Sequence, residues 1–280
     1  MKNGTSRQKF KFKSKLRSGD TARLFYVYGF CAPASRLPKG GIERNTPVEW
    51  LGEGEVGALA SKVPAKDYEE GPLATKTADI AWLTERARRH NAVLLAALEQ
   101  TAVVPCRFGT LFRSLAKVER VLSERRDALE DALQRLDGRV EWSVKAYISA
   151  EPGRPERVRT SGSGPQDGTT YLRERLREKE ERQGRELAAQ AFAEDLASRL
   201  GREAEEVAAL PLRNLGAGEG ETIVANLACL VPRSAGDRLR GAMVRLHRRA
   251  KERGIRLAWS GPWPPYSFAG ELCVTSEAKG

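Results

Sequence analysis

Hydrophobic positions change their spacing several times along the chain, and each change predicts an element. Arg23 to Phe30 (RLFYVYGF) is aromatic and β-branched enough for a buried strand, with Gly29, Pro33 and Pro38 marking the turn beyond it. Val48 to Leu51 and Val56 to Val63 predict two shorter strands around Gly52 and Gly54. From Thr77 the period lengthens: Ile80, Leu83, Ala87, Leu94 and Leu98 fall at helical spacing, with Thr77 as the expected N-cap and Asp79 in the first turn. Ala102 to Val104 read as a strand halted by Pro105. A second helix is predicted from Ser114 as N-cap, striped by Leu115, Val118, Leu122, Leu129, Leu133 and Leu136, and stopped at Asp137-Gly138. Val140, Trp142, Val144, Ala146 and Ile148 then alternate with Glu141, Ser143, Lys145 and Tyr147, the period of an antiparallel strand with one wet face.

That strand is expected to close a first domain near residue 150. Glu151 to Gly168 is rich in proline and glycine without hydrophobic period, and reads as a linker. A helix from Thr169 or Thr170 runs to Leu200; its first half is charged, with Glu178–Arg182 and Glu181–Arg185 as pairs four apart, and its second half is striped by Leu187, Ala191, Phe192, Leu196 and Leu200. The charged half either bridges two domains or is a solvated face. Val207–Leu212 and Thr222–Val231 predict a hairpin around Gly216, Gly218 and Gly220; a phosphate loop is disfavoured by Glu219, Glu221 and the missing lysine. Ser234 with Asp237 makes a capping box for a last helix through Leu239, Met243, Leu246 and Ala250, stopped by Gly254. The strand Ile255 to Trp259 follows, with Pro262, Pro264 and Pro265 expected to end it. The fold class predicted is α+β: a basic tail (1–20), an N-terminal domain (21–150), a linker (151–168) and a C-terminal domain (169–280). Each domain is read as a variation on split βαβ, or ferredoxin-like, order, with a long charged helix between them.

The formal net charge of +11 invites a nucleic-acid reading, but residues 1–20 hold six of those charges, leaving five for the other 260. The alternation of Lys9 to Leu16 fits a flexible arm or a basic edge strand. No strand carries aromatics interleaved with bases as RNA-binding sheets do, so nucleic acid is kept as the alternative partner. No apolar run is long enough to cross a bilayer, and the expectation is a cytoplasmic protein without membrane contact. Cys31, Cys106, Cys229 and Cys273 show no paired spacing and neither His90 nor His247 lies near them, so no metal, cofactor or disulfide framework is indicated. Cys106 beside Arg107 is either a nucleophile or a small core side chain; His90 is either a ligand or base or a core histidine with a hydrogen-bonded ring. With no local catalytic motif, no enzyme is expected.

The chemistry that remains concentrated is aromatic. Trp259 to Phe268 (WSGPWPPYSF) packs four aromatic rings and three prolines into ten residues. With Tyr26-Val27-Tyr28-Gly29, His90-Asn91, Val103 to Phe112 (VVPCRFGTLF) and Gly168 to Leu172 (GTTYL), it resembles the gas vesicle protein F/L family (GvpL/GvpF) from about residue 22 to about residue 269. That resemblance implies a two-domain α+β accessory protein of gas vesicle assembly, without cofactor or catalysis, associated with the vesicle and contacting the hydrophobic shell protein and other accessory proteins. Trp259, Trp263, Tyr266, Phe268, Arg107 and Phe108 are the candidate partner-binding residues, the alternative being that these rings close a core or a domain interface.

Overall fold

The computed structural model describes residues 23–68, 76–149, 168–213, 216–218 and 220–272. The basic tail and nearly all of the expected linker lie outside the described residues. The chain folds into two antiparallel sheets with helices packed against them. The first joins β1 (Arg23–Cys31), β2 (Glu49–Glu53), β3 (Val56–Pro64) and β4 (Val103–Pro105) in the order β2-β3-β1-β4, with β5 (Leu111–Phe112) also pairing β1. The second joins β6 (Arg139–Ser149), β7 (Glu206–Ala209), β8 (Glu221–Pro232) and β9 (Ile255–Trp263) in the order β7-β8-β6-β9. The helices are α1 (Ala65–Tyr68), α2 (Ile80–Leu98), α3 (Leu115–Glu124), α4 (Arg126–Leu136), α5 (Gly168–Leu200) and α6 (Gly236–Glu252).

Sheet membership corrects the expected boundary near residue 150. β6 does not close the first sheet; it lies in the middle of the second, hydrogen-bonded to β8 on one side and β9 on the other. Its central position also removes the expected wet face. Glu141 and Tyr147, placed there by the alternation, are buried along with Val140, Trp142, Val144 and Ala146. Each of the two contiguous apolar clusters draws residues from both sheets: one includes Tyr26, Leu94, Trp142 and Met243, the other Val27, Phe30, Leu129, Leu230 and Phe268.

The helix boundaries show where local signals lose to packing. α2 is capped by Asp79, not Thr77: its carboxylate accepts the N–H groups of Ala81 (2.9 Å) and Trp82 (3.2 Å). Ile80 is 78% exposed although it belongs to the predicted stripe, because only the last turns of α2, with His90, Val93, Leu94, Ala97 and Leu98, face the sheet. Ser114 does cap α3, accepting the Lys117 N–H at 3.3 Å. The single helix expected beyond it is two, broken at Arg125 (φ −120°, ψ 16°), and both halves keep the buried stripe. A period of 3.6 persists across such a break, so the stripe alone does not reveal it. In α5 the buried stripe is Ala189, Phe192, Leu196 and Leu200; Leu187 and Ala191 are exposed. The Ser234 capping box is absent, since a turn of 3₁₀ helix at Arg233–Ala235 precedes α6 and no side chain caps it.

Candidate functional site: a seam of aromatic rings

Segments that stand far apart in the sequence meet where the two sheets join. The run Val103 to Phe112 lies along β1 as two short strands separated by an outward turn. β4 pairs Gly29–Cys31, β5 pairs Phe25–Tyr26, and the Cys106 and Val27 N–H groups donate across the gap to the carbonyls of Tyr28 (2.8 Å) and Thr110 (2.9 Å). Close approach explains the glycine of the Tyr-Val-Tyr-Gly stretch. A Cβ on Gly29 would stand 2.7 Å from the Val104 carbonyl oxygen and 3.0 Å from the Leu94 side chain.

His90 sits at the centre of this seam and is 2% exposed. The Tyr26 hydroxyl accepts the Gly109 N–H (3.2 Å) and donates to His90 Nδ1 (2.9 Å), which leaves Nε2–H to donate to the Cys106 carbonyl (3.2 Å). The chain of bonds assigns a neutral ring with its proton on Nε2. Burial holds its pKa down at about 4, against the opposing pull of the Cys106 carbonyl. Tyr26, Tyr28 and Phe108 pack around the ring with centroids 5.6–6.0 Å away, and Tyr266 stacks on it at 6.4 Å. His90 is therefore a core histidine with satisfied nitrogens. Cys106 is fully buried, as its packing reading requires, and burial pushes the thiols of Cys31 and Cys229 up to about 12. Among the described residues no group of His, Cys, Asp or Glu is arranged to hold a metal ion, and no helix is long and apolar enough to cross a membrane.

The proline-rich run enters the same seam from the other sheet. β9 does not end at Trp259; it continues through Gly261 and Pro262 to Trp263, with a bulge where Ser260 pairs Ser143 and Trp263 pairs Glu141. Pro262 is tolerated because β9 is an edge strand and the bulge absorbs the missing donor, so Pro264 and Pro265 are what stop it. Beyond them the chain turns inward. The buried Glu141 carboxylate accepts the Ser267 N–H (2.7 Å) and hydroxyl (2.8 Å), and burial raises its pKa despite those bonds. Tyr266 donates to Asn91 Oδ1 on α2 at 2.8 Å, and the Arg135 guanidinium on α4 donates to the Phe268 carbonyl.

The six candidate residues thus separate. Phe268 is 3% exposed and fills the cluster of Val27, Phe30 and Leu230, which removes it from any surface and corrects its assignment. Tyr266 and Phe108 are half-buried against His90, and Arg107 is exposed at the turn beside them. Trp259 and Trp263 are likewise partly buried, along β9, with Trp259 edge-on to His247 of α6 at 5.7 Å and Trp263 donating to Ser260 Oγ at 3.1 Å. The Glu141–Ser267 contact was not anticipated; its one sequence signal is an acid between Val140 and Trp142 in an apolar strand. The side chains of Gly168–Leu172 lie outside the described residues.

Comparison with known proteins gives matches over most of the chain. The family model described as "Gas vesicle synthesis protein GvpL/GvpF" matches residues 24–270. Gas vesicle protein L of Streptomyces sp. (strain CB03234) is 38% identical over 257 residues, covering 89% of this chain and 94% of the relative. Gas vesicle protein F of the same strain is 30% identical over 260 residues, covering 87% and 98%. The crystal structure of GvpF from Anabaena sp. PCC7120 superposes with a TM-score of 0.63 at 18% identity, covering 88% of this chain and 96% of that one. GvpF from Microcystis aeruginosa gives 0.61 at 19%, covering 89% and 99%. At such identity the two structures speak for the fold, and the sequence matches speak for descent. The converging motifs and the matches across nearly the whole chain lead to one conclusion: this protein belongs to the gas vesicle GvpL/GvpF family.

Proposed function

We propose that this chain is a non-catalytic accessory protein of gas vesicle assembly, which binds the hydrophobic shell subunit to seed or hold it while the vesicle forms. The observation that carries the reading is the family match over residues 24–270. A shell that keeps water from a gas space presents apolar surface, so its subunits are aggregation-prone before assembly and gain from a holder. On this reading the protein acts in the cytoplasm and at the vesicle, alongside other gas vesicle proteins.

Trp259 and Trp263 supply the grip: both are partly exposed on an edge strand, where a partner backbone can also add hydrogen bonds. Arg107 and Phe108 form a second, smaller contact at the turn of the seam, with Tyr266 behind them. Each half of the chain is read as a variation on split βαβ order, since both sheets place their strands in the sequence second, third, first, fourth. The second half has helices in both crossovers, α5 and α6; the first has none between β1 and β2. Co-purification of purified shell protein with a Trp259→Ala/Trp263→Ala variant that still melts cooperatively tests the grip. Capture reduced about tenfold or more is expected, and undiminished capture would remove the surface.

A further inference from the structure

Beyond the basic tail, the excess positive charge of this chain is concentrated on one helix. α6 and its cap Arg253 carry as many net charges as residues 21–280 taken together, with Asp237 and Glu252 as the only acids in the helix. Its apolar stripe, Leu239, Ala242, Met243 and Ala250, is buried, so the face left to a partner is charged apart from Val244. A helix of this composition whose apolar stripe is already used has nothing to insert into a bilayer.

The two flanks of that face differ. On one, Arg238 and Arg245 reach Glu203 beyond the end of α5. On the other, Val244, Arg248 and Lys251 lie at helical spacing around His247, the side chain that meets β9, while Arg240 stacks over the Trp142 ring of β6. His247 fixes the orientation, since its Nδ1–H donates to the Leu257 carbonyl at 3.3 Å and its ring meets Trp259. This side of α6 holds Val244, which is 44% exposed, with Arg248 and Lys251 also exposed, and through His247 it meets the partly buried Trp259 of β9. Beside it runs the outer edge of β9, which pairs with no other strand among the described residues.

We infer that the β9 edge and the adjoining flank of α6 form one docking groove for an acid-rich segment of a partner protein that alternates carboxylates with apolar side chains. The segment adds as a strand to β9, its apolar residues meeting Val244 and Trp259 and its carboxylates meeting Arg248 and Lys251. Phosphate polymers fit less well. A nucleic acid needs open ring faces interleaved with the basic residues, and Trp259 and His247 pack edge-on against each other while no ring stands between Arg248 and Lys251 in the helix sequence. The inference rests on Trp259 facing a partner, as in the proposed function, but it adds the partner's charge and conformation.

The test measures fluorescence anisotropy of a labelled peptide alternating glutamate with valine, its glutamine counterpart, and labelled oligothymidylate, each with the full-length protein. The glutamate peptide is expected to bind, to weaken about tenfold or more between about 50 and about 300 mM salt, and to weaken comparably in Arg248→Glu/Lys251→Glu. Both substitutions are at exposed positions, and an unchanged melting midpoint confirms folding. Trp259→Ala provides an independent loss through the apolar half of the groove. Equal affinity for the glutamine peptide, no binding of the glutamate peptide, or full affinity in the charge-reversed variant would overturn the inference. Oligothymidylate binding lost in that same variant would also overturn it, assigning the groove to nucleic acid. If the glutamate peptide fails while shell protein is still captured through Trp259 and Trp263, only this inference falls and the proposed function stands.

Discussion

Two side chains at the seam show how position decides chemistry. Burial favours neutral His90, so its pKa is about 4 in the folded protein against 6.5 for an ordinary histidine. Below 6.5 the unfolded chain binds a proton that the folded chain refuses. Stability contributed by the neutral ring is therefore complete at neutral pH and is lost as pH falls through the window from 6.5 to about 4, by about 3 kcal/mol in total. Glu141 has a raised pKa and works with the opposite sign, favouring the folded state at low pH and withdrawing that support as pH rises from its ordinary value to its raised one. Urea midpoints of wild type and His90→Gln at pH 7 and pH 5 are expected to show a smaller acid loss in the variant. Gly261 is fixed by both conformation and space: its φ is +151°, and a Cβ there would lie 2.8 Å from the Trp142 ring and 3.0 Å from the Glu141 carbonyl oxygen. Gly261→Ala is expected to cost about 2 kcal/mol or more, read from the same denaturation curves.

Caps and breaks separate helix signals that look alike in sequence. Asp79 makes two bonds to the first turn of α2, whereas Ser234 caps nothing because it lies inside the 3₁₀ turn that leads into α6. Asp79→Ala is expected to lower stability by about 1 kcal/mol and Ser234→Ala by less than about 0.5, measured by thermal melts. The same melts on Ser114→Ala calibrate the scale, since that cap is formed.

Tyr266, Phe268 and Arg135 tie the two sheets together, and both apolar clusters run across the boundary. Unfolding is accordingly expected as one transition, with near- and far-ultraviolet circular dichroism coinciding. Phe268→Ala removes a buried ring from a cluster shared by both sheets. It is expected to move the whole transition by about 3–5 kcal/mol without splitting it, while Tyr266→Phe, which removes the hydroxyl that donates to Asn91, costs about 1 kcal/mol. Separate transitions for the two sheets in Phe268→Ala would show that the shared clusters do not couple them.

Most strands and helices and the α+β class were legible in the order of residues, because side-chain period and turn chemistry are local. Val140 to Ile148 announced a strand by alternation alone, and WSGPWPPYSF was one of the motifs that carried the resemblance to the family. Which sheet that strand joins, and whether its second face is wet, depended on β8 and β9, more than a hundred residues away for β9. The same holds for the candidate site. Phe268 and Trp263 are both large aromatic residues of one short motif, yet one closes a core and the other stays partly exposed. The turn after Pro265, held by Glu141, sends one inward, and burial of that kind is a property of packing between distant segments, which no local pattern encodes.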